Sequence, residues 1–124
     1  MLGIEIICVL LIGGLLYGLI ELLFRGHTHW TMVVTGGLCF AFIYLMSTRS
    51  DLPLILKCLT AALFITAVEF VVGCIVNRRF RLDVWDYSNK RYNVLGQVCP
   101  LFTVVWFFLS FPGVWLSGFI GTFF

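Results

Sequence analysis

Four apolar runs dominate this chain, and each is long enough to cross a bilayer. In Ile4–Phe24, Trp30–Met46, Leu52–Val76 and Val94–Phe111 the only charged residues are Glu5, Glu21, Lys57 and Glu69. A spanning helix needs about 20 mostly apolar residues at ~1.5 Å each, so the pattern predicts an all-α polytopic membrane protein with four transmembrane helices. A hydrophobic content of 61% excludes an ordinary soluble domain, for which roughly 45–50% is typical. Pro112-Gly113 is followed by only eleven residues, the mostly apolar Val114–Phe124, too few for a fifth span. That stretch is expected to kink and lengthen the fourth helix, the alternative being a segment along the interface. The early charge is Glu5 rather than a basic cluster, so the first run is expected to stay as a helix and not to serve as a signal peptide. With no long linker, residues 1–124 are expected to form a single transmembrane domain.

Charge orients the spans. The loops 25–29 and 77–93 carry Arg25, Arg78, Arg79, Arg81, Lys90 and Arg91, whereas the opposite side carries Arg49 and Lys57. The positive-inside rule therefore places the two rich loops in the cytoplasm and both termini outside. Arg78, Arg79 and Arg81 are expected to meet anionic lipid headgroups, and nucleic acid is not needed to explain them. Cys8, Cys39, Cys58, Cys74 and Cys99 are scattered without C-x-x-C spacing and read as packing residues.

Two acids lie inside spans. Tyr17, Glu21 and Arg25 fall at i, i+4 and i+8, so Glu21 has a phenol and a base within reach on its own helix. A Glu21–Arg25 salt bridge at the membrane edge is the bland alternative. Glu69 is deeper and has no base at helical spacing, which makes it the stronger functional candidate. Gly73 and Asn77 continue its stripe, and the glycine would let another helix approach. Gly14, Gly18, Gly36 and Gly37 read as close-packing surfaces. His27 and His29 in "RGHTHW" could be completed by Glu21, Glu69 or Asp86, but without a second ligand pair no metal site and no cofactor are expected.

The most polar stretch is "DVWDYSNKRYN", residues 83–93. Asp86, Ser88 and Asn89 favour local turns, while Trp85, Tyr87 and Tyr92 could serve as belt residues at the headgroup level. Asn93 and Gln97 carry the polarity toward Pro100, which is expected to free a carbonyl inside the fourth span. Together these residues predict a cytoplasmic-leaflet pocket formed by Glu21, His27, Glu69, Trp85, Asp86, Asn93 and Gln97, with the polar stretch as its lid.

"GLLYGLIE", "RGHTHW", "GGLC", "VEFVVGCIVN", "VWDYSNKRYNVLGQVCPLF" and Trp106 resemble the pattern of the ABC-transporter type IV family, small bacterial membrane proteins also labelled ABC transporter permeases. The likeness covers nearly the whole chain, and its most specific part is W-D-Y-S followed by Asn93, Gly96 and Cys99. The family often has proline where Arg91 stands here. The resemblance implies a transport role in the bacterial inner membrane. The chain has no G-x-x-x-x-G-K-[ST] loop, so a nucleotide engine would be a separate ATPase. A homo-oligomer could enclose a pathway between protomers through the glycine-rich faces.

The expected function is binding and movement of a small polar or cationic solute, with Glu69 carrying the charge and Glu21 as its partner. One alternative is a membrane-embedded enzyme acting on lipid-linked material, with His27 or Asp86 as base and the arginines holding a phosphate. Another is a non-catalytic subunit of a larger complex, docked through the basic loop.

Overall fold

The computed structural model describes residues 2–26, 28–82 and 84–124, with the side chains of Leu2, Phe24 and Arg25 excepted. Four helices in it are long and apolar enough to cross a membrane. They are α1 (Leu2–Arg25), α2 (Trp30–Arg49), α3 (Leu54–Gly73) and α4 (Pro100–Gly121). A short π-helical segment, Cys74–Arg79, continues α3. No β-strand occurs among the described residues.

The helices bury one face and leave the other to lipid. On α1 the exposed Leu11, Leu15, Leu19 and Leu23 recur every fourth residue, while Val9, Gly13, Gly14 and Glu21 are buried. α2 is the central element, packed against α1, α3 and α4. Its contact with α1 is closed by glycine: a Cβ on Gly36 would fall 2.3 Å from Tyr17 Cβ, and one on Gly37 would fall 2.7 Å from the Leu10 carbonyl oxygen. Helices in lipid associate by packing rather than by the hydrophobic effect, so small residues at the contact are what permit the approach. The glycine faces of α1 and α2 are thus occupied within one chain.

Helix ends explain most of the local geometry. His29 caps α2, its Nδ1 accepting from the Thr31 amide at 3.2 Å, which accounts for the second histidine of "HTH". At the opposite end of the bundle Tyr44 donates to Glu5, Arg49 approaches Glu5 to 3.8 Å, and Lys57 Nζ donates to the Ser47 carbonyl at 2.8 Å.

α4 differs from expectation at its start. It begins at Pro100 rather than Val94, because Val94–Cys99 is folded into the loop: Val94 N–H donates to the Val98 carbonyl, and Leu95 and Gly96 take positive φ. Pro100 therefore sits in the first turn, where its missing N–H costs nothing, and it frees no carbonyl within the span. The C-terminal stretch lengthens α4, which runs through Pro112 to Gly121. Its 22 residues correspond to about 33 Å.

Replacing Gly37 by alanine should lower the thermal midpoint in detergent by the equivalent of about 1–3 kcal/mol, since the new methyl meets backbone that cannot step aside. Gly3→Ala, with open space around it, should leave the melt unchanged; equal melts for the two variants would contradict the packing described.

Candidate functional site

The polar stretch enters the bundle rather than lying on it. Trp85 and Tyr87 are each only 5% exposed and pack with Met32 of α2 and Cys99, with Tyr17, Val72 and Phe102 around them. Tyr87 stacks on Phe102 with ring centroids 4.6 Å apart. Neither ring is a belt residue; Tyr92, 76% exposed, is the one that faces outward.

Irregular backbone inside an apolar bundle must find its partners within the protein. Asn77 and Gln97 supply them. Asn77 Oδ1 accepts from the amides of Val84 and Trp85 at 2.7 and 3.4 Å, and its Nδ2 donates to Gln97 Oε1 at 2.9 Å. Gln97 donates to the Leu95 carbonyl, and the Trp85 indole donates to the Gln97 carbonyl at 2.9 Å. This network seats against Gly73, where an added Cβ would lie 2.5 Å from Gln97 Oε1 and 3.0 Å from the Trp85 ring. The glycine of the Glu69 stripe therefore admits a loop, not a helix.

Asp86 and Asn93 shape the outer part of the loop. Asp86 is exposed, and its Oδ1 accepts from the Ser88 amide at 2.9 Å. Hydrogen bonds from the Ser88 backbone and side chain hold its carboxyl below the usual aspartate value. Asn93 donates to the Ser88 and Lys90 carbonyls and accepts from the Gly96 amide, closing the turn. Arg81, Tyr92 and Leu95 adopt left-handed backbone, and these bonds bracket the last two of them.

Glu69 lies in a different place. It is 3% exposed, accepts from Trp106 Nε1 at 2.6 Å, and faces a cavity of about 220 Å³ between the helices. Trp106 in turn stacks on Tyr17 at 5.8 Å, and the Tyr17 phenol is hydrogen-bonded to Glu21, itself buried. A chain of contacts thus joins the two acids across α1, α4 and α3. Tyr17, Thr35, Cys39, Glu69, Trp106 and Ser110 bring the polar atoms to the cavity, whose remaining walls are apolar.

Of the expected pocket, Glu69 lines the cavity and Glu21 reaches it through Tyr17. Trp85 and Gln97 are packed at one end of the bundle, while Asp86 and Asn93 form the loop; none of the four lines the cavity. His27 lies outside the described residues, as does the Arg25 side chain invoked for a salt bridge to Glu21. Trp106 and Tyr17 were absent from the expected set. Their signal is position: an indole or phenol in mid-span, far from either interface, needs an internal partner for its polar tip. Arg78, Arg79 and Arg81 are exposed at the loop end.

The sequence model of the family described as "Putative ABC-transporter type IV" matches residues 14–120, a segment that holds Glu21, Glu69, the whole loop and all of the cavity lining except Gly13. The chain belongs to this family. No solved structure matches it. The W-D-Y-S signature that suggested membership occupies the buried plug in this family member, with Trp85 and Tyr87 inward and Asp86 and Ser88 turned out.

Asn77→Ala should strand the Val84 and Trp85 amides and the Gln97 side chain, destabilising the protein by about 2–4 kcal/mol and shifting tryptophan emission to the red as Trp85 meets water. A melt within error of wild type would refute the clasp. For Asp86 the folded value is depressed, so its stabilising effect on the Ser88 turn is present above the usual aspartate value of ~3.9 and is lost as pH falls through the lower folded one. The Ser88 amide resonance should accordingly hold its position at neutral pH and move only in acid, and Asp86→Asn should abolish that movement.

Proposed function

We propose that this membrane protein binds and moves a small polar or cationic solute in the cavity at Glu69. The supporting observation is a buried carboxylate facing an internal cavity at mid-bundle, held by an indole that leaves it oriented toward the space. A charge at such depth costs ~2.5–3.5 kcal/mol even on the lenient insertion scale, and an acid there carries a function more often than a packing role. In this reading a cation and a proton compete for Glu69, so that solute binding releases a proton. Glu21 is the second acid, coupled through the Tyr17–Trp106 stack.

The loop residues then serve the site indirectly. Trp85, Asn93 and Gln97, with Asp86 outside them, keep one end of the bundle shut, and the solute does not touch them. His27 is kept as a proposed solute contact from its sequence alone. Arg78, Arg79 and Arg81 are proposed to hold the loop end among anionic headgroups on the cytoplasmic face of a bacterial inner membrane, with both termini outside. A separate ATPase is the proposed source of energy if nucleotide drives the cycle. Oligomerisation, if it occurs, would use surfaces other than the glycine faces of α1 and α2, which are filled.

The test is proton release. Purified protein in weakly buffered detergent, challenged with a panel of organic cations from methylammonium to longer alkylammonium ions, should acidify a pH-sensitive dye with at least one of them. Glu69→Gln should release nothing, and Glu21→Gln should retain release with altered affinity. Undiminished release from Glu69→Gln would sink the assignment.

A further inference from the structure

α2 forms the back of the Glu69 cavity, and α1 and α4 form its sides. α2 packs along both neighbours, whereas α1 and α4 scarcely approach one another. Side chains bridge them at two levels, through the Tyr17–Trp106 stack and through the cluster in which Val9 and Ile120 pack with Phe40, Ala41 and Tyr44 of α2. Beside these bridges Leu16, Ile20 and Leu109 line the cavity and are also 40%, 38% and 41% exposed. Leu16 and Leu109 sit well inside spanning helices and Ile20 nearer the end of its own, so the exposed surface of the first two meets acyl chains, not water. The seam between α1 and α4 is thus a window between the cavity and the bilayer core.

The walls say what can use that window. Among the described residues that line the cavity, Glu69 is the one acid and none is a lysine, arginine or histidine. The Tyr17 and Trp106 rings stand beside it, and aromatic faces attract desolvated cations. Few other polar atoms line the space, so a strongly hydrated ion would lose its water with little in exchange. A cavity of ~150 Å³ holds benzene, and about 220 Å³ therefore admits one ring carrying a small onium head.

We infer that the cavity is a site for monovalent lipophilic cations, loaded sideways from the membrane through the α1–α4 seam. The inference rests on the reading of Glu69 as the solute-binding group and specifies that solute: an apolar body with a single positive head, already partitioned into lipid.

The experiment uses the full chain in nanodiscs of zwitterionic lipid and three probes: benzyltrimethylammonium, tetramethylammonium, and neopentylbenzene, the uncharged carbon isostere of the first. Benzyltrimethylammonium should bind at least ~10-fold more tightly than tetramethylammonium, and Glu69→Gln should weaken it at least ~10-fold. The isostere should bind wild type and Glu69→Gln alike. Glu69→Asp, which keeps the charge, should restore part of the lost affinity and guards against a merely misfolded variant. Leu16→Trp, a bulky side chain at an exposed rim position, should slow benzyltrimethylammonium binding about tenfold while the carboxylate stays in place.

Tetramethylammonium binding as tightly as its benzyl analogue would overturn the lipophilic class and leave Glu69 as the solute group. Equal benzyltrimethylammonium binding by wild type and Glu69→Gln would overturn both readings. An unchanged association rate in Leu16→Trp would overturn the lateral route.

Discussion

The hydrogen bond between Asn77 and Gln97 is what allows a stretch without regular structure to sit inside an apolar bundle. Every backbone group that enters low dielectric needs a partner, and an unmet one costs several kcal/mol. Asn77 stands in the π-helical continuation of α3 and Gln97 just before α4, so one side-chain pair pins both ends of the polar loop. With the ends pinned, Trp85 and Tyr87 can fill the space among four helices, and the left-handed residues outside them are held against their own preference. The family signature is in this sense first a packing device.

That device separates two kinds of polarity. The amides of Asn77 and Gln97 are consumed by the fold, whereas Glu69, which accepts from the Trp106 indole, borders open volume. A buried amide satisfied by neutral donors rigidifies its surroundings, while a carboxylate beside a cavity keeps the capacity to exchange a proton or a counter-ion. The protein places the first at the end of the bundle and the second nearer its middle, with Gly73 marking the boundary between them.

Much of this architecture is legible from hydropathy. The four spans follow directly from run length, and Glu69 stands out because no base lies one helical turn away. The glycine pairs of α1 and α2 likewise announce a close contact, although spacing does not say whether the partner is the next helix or another chain. What hydropathy misreads is the loop. Val94–Cys99 is apolar enough to pass for helix, and only Pro100 at the first turn, with Leu95 and Gly96 in left-handed conformation, shows why α4 starts later. Trp85 and Tyr87 have the composition of interfacial anchors, and their burial depends on cavities made by Tyr17, Met32 and Phe102, residues far away in sequence. Trp106 escaped for the same reason: its bond to Glu69 links α4 to α3, a pairing that no local pattern encodes.

Pro112 lies in the interior of α4, on the wall of the Glu69 cavity. A proline cannot donate to the carbonyl four residues before it, so the Phe108 carbonyl lacks its ladder partner there. Bending resistance in a helix comes from that ladder, and α4 is therefore most compliant at the level of the cavity. The cavity thus has one side where glycine presses α1 against α2 and one where the backbone ladder of α4 is interrupted.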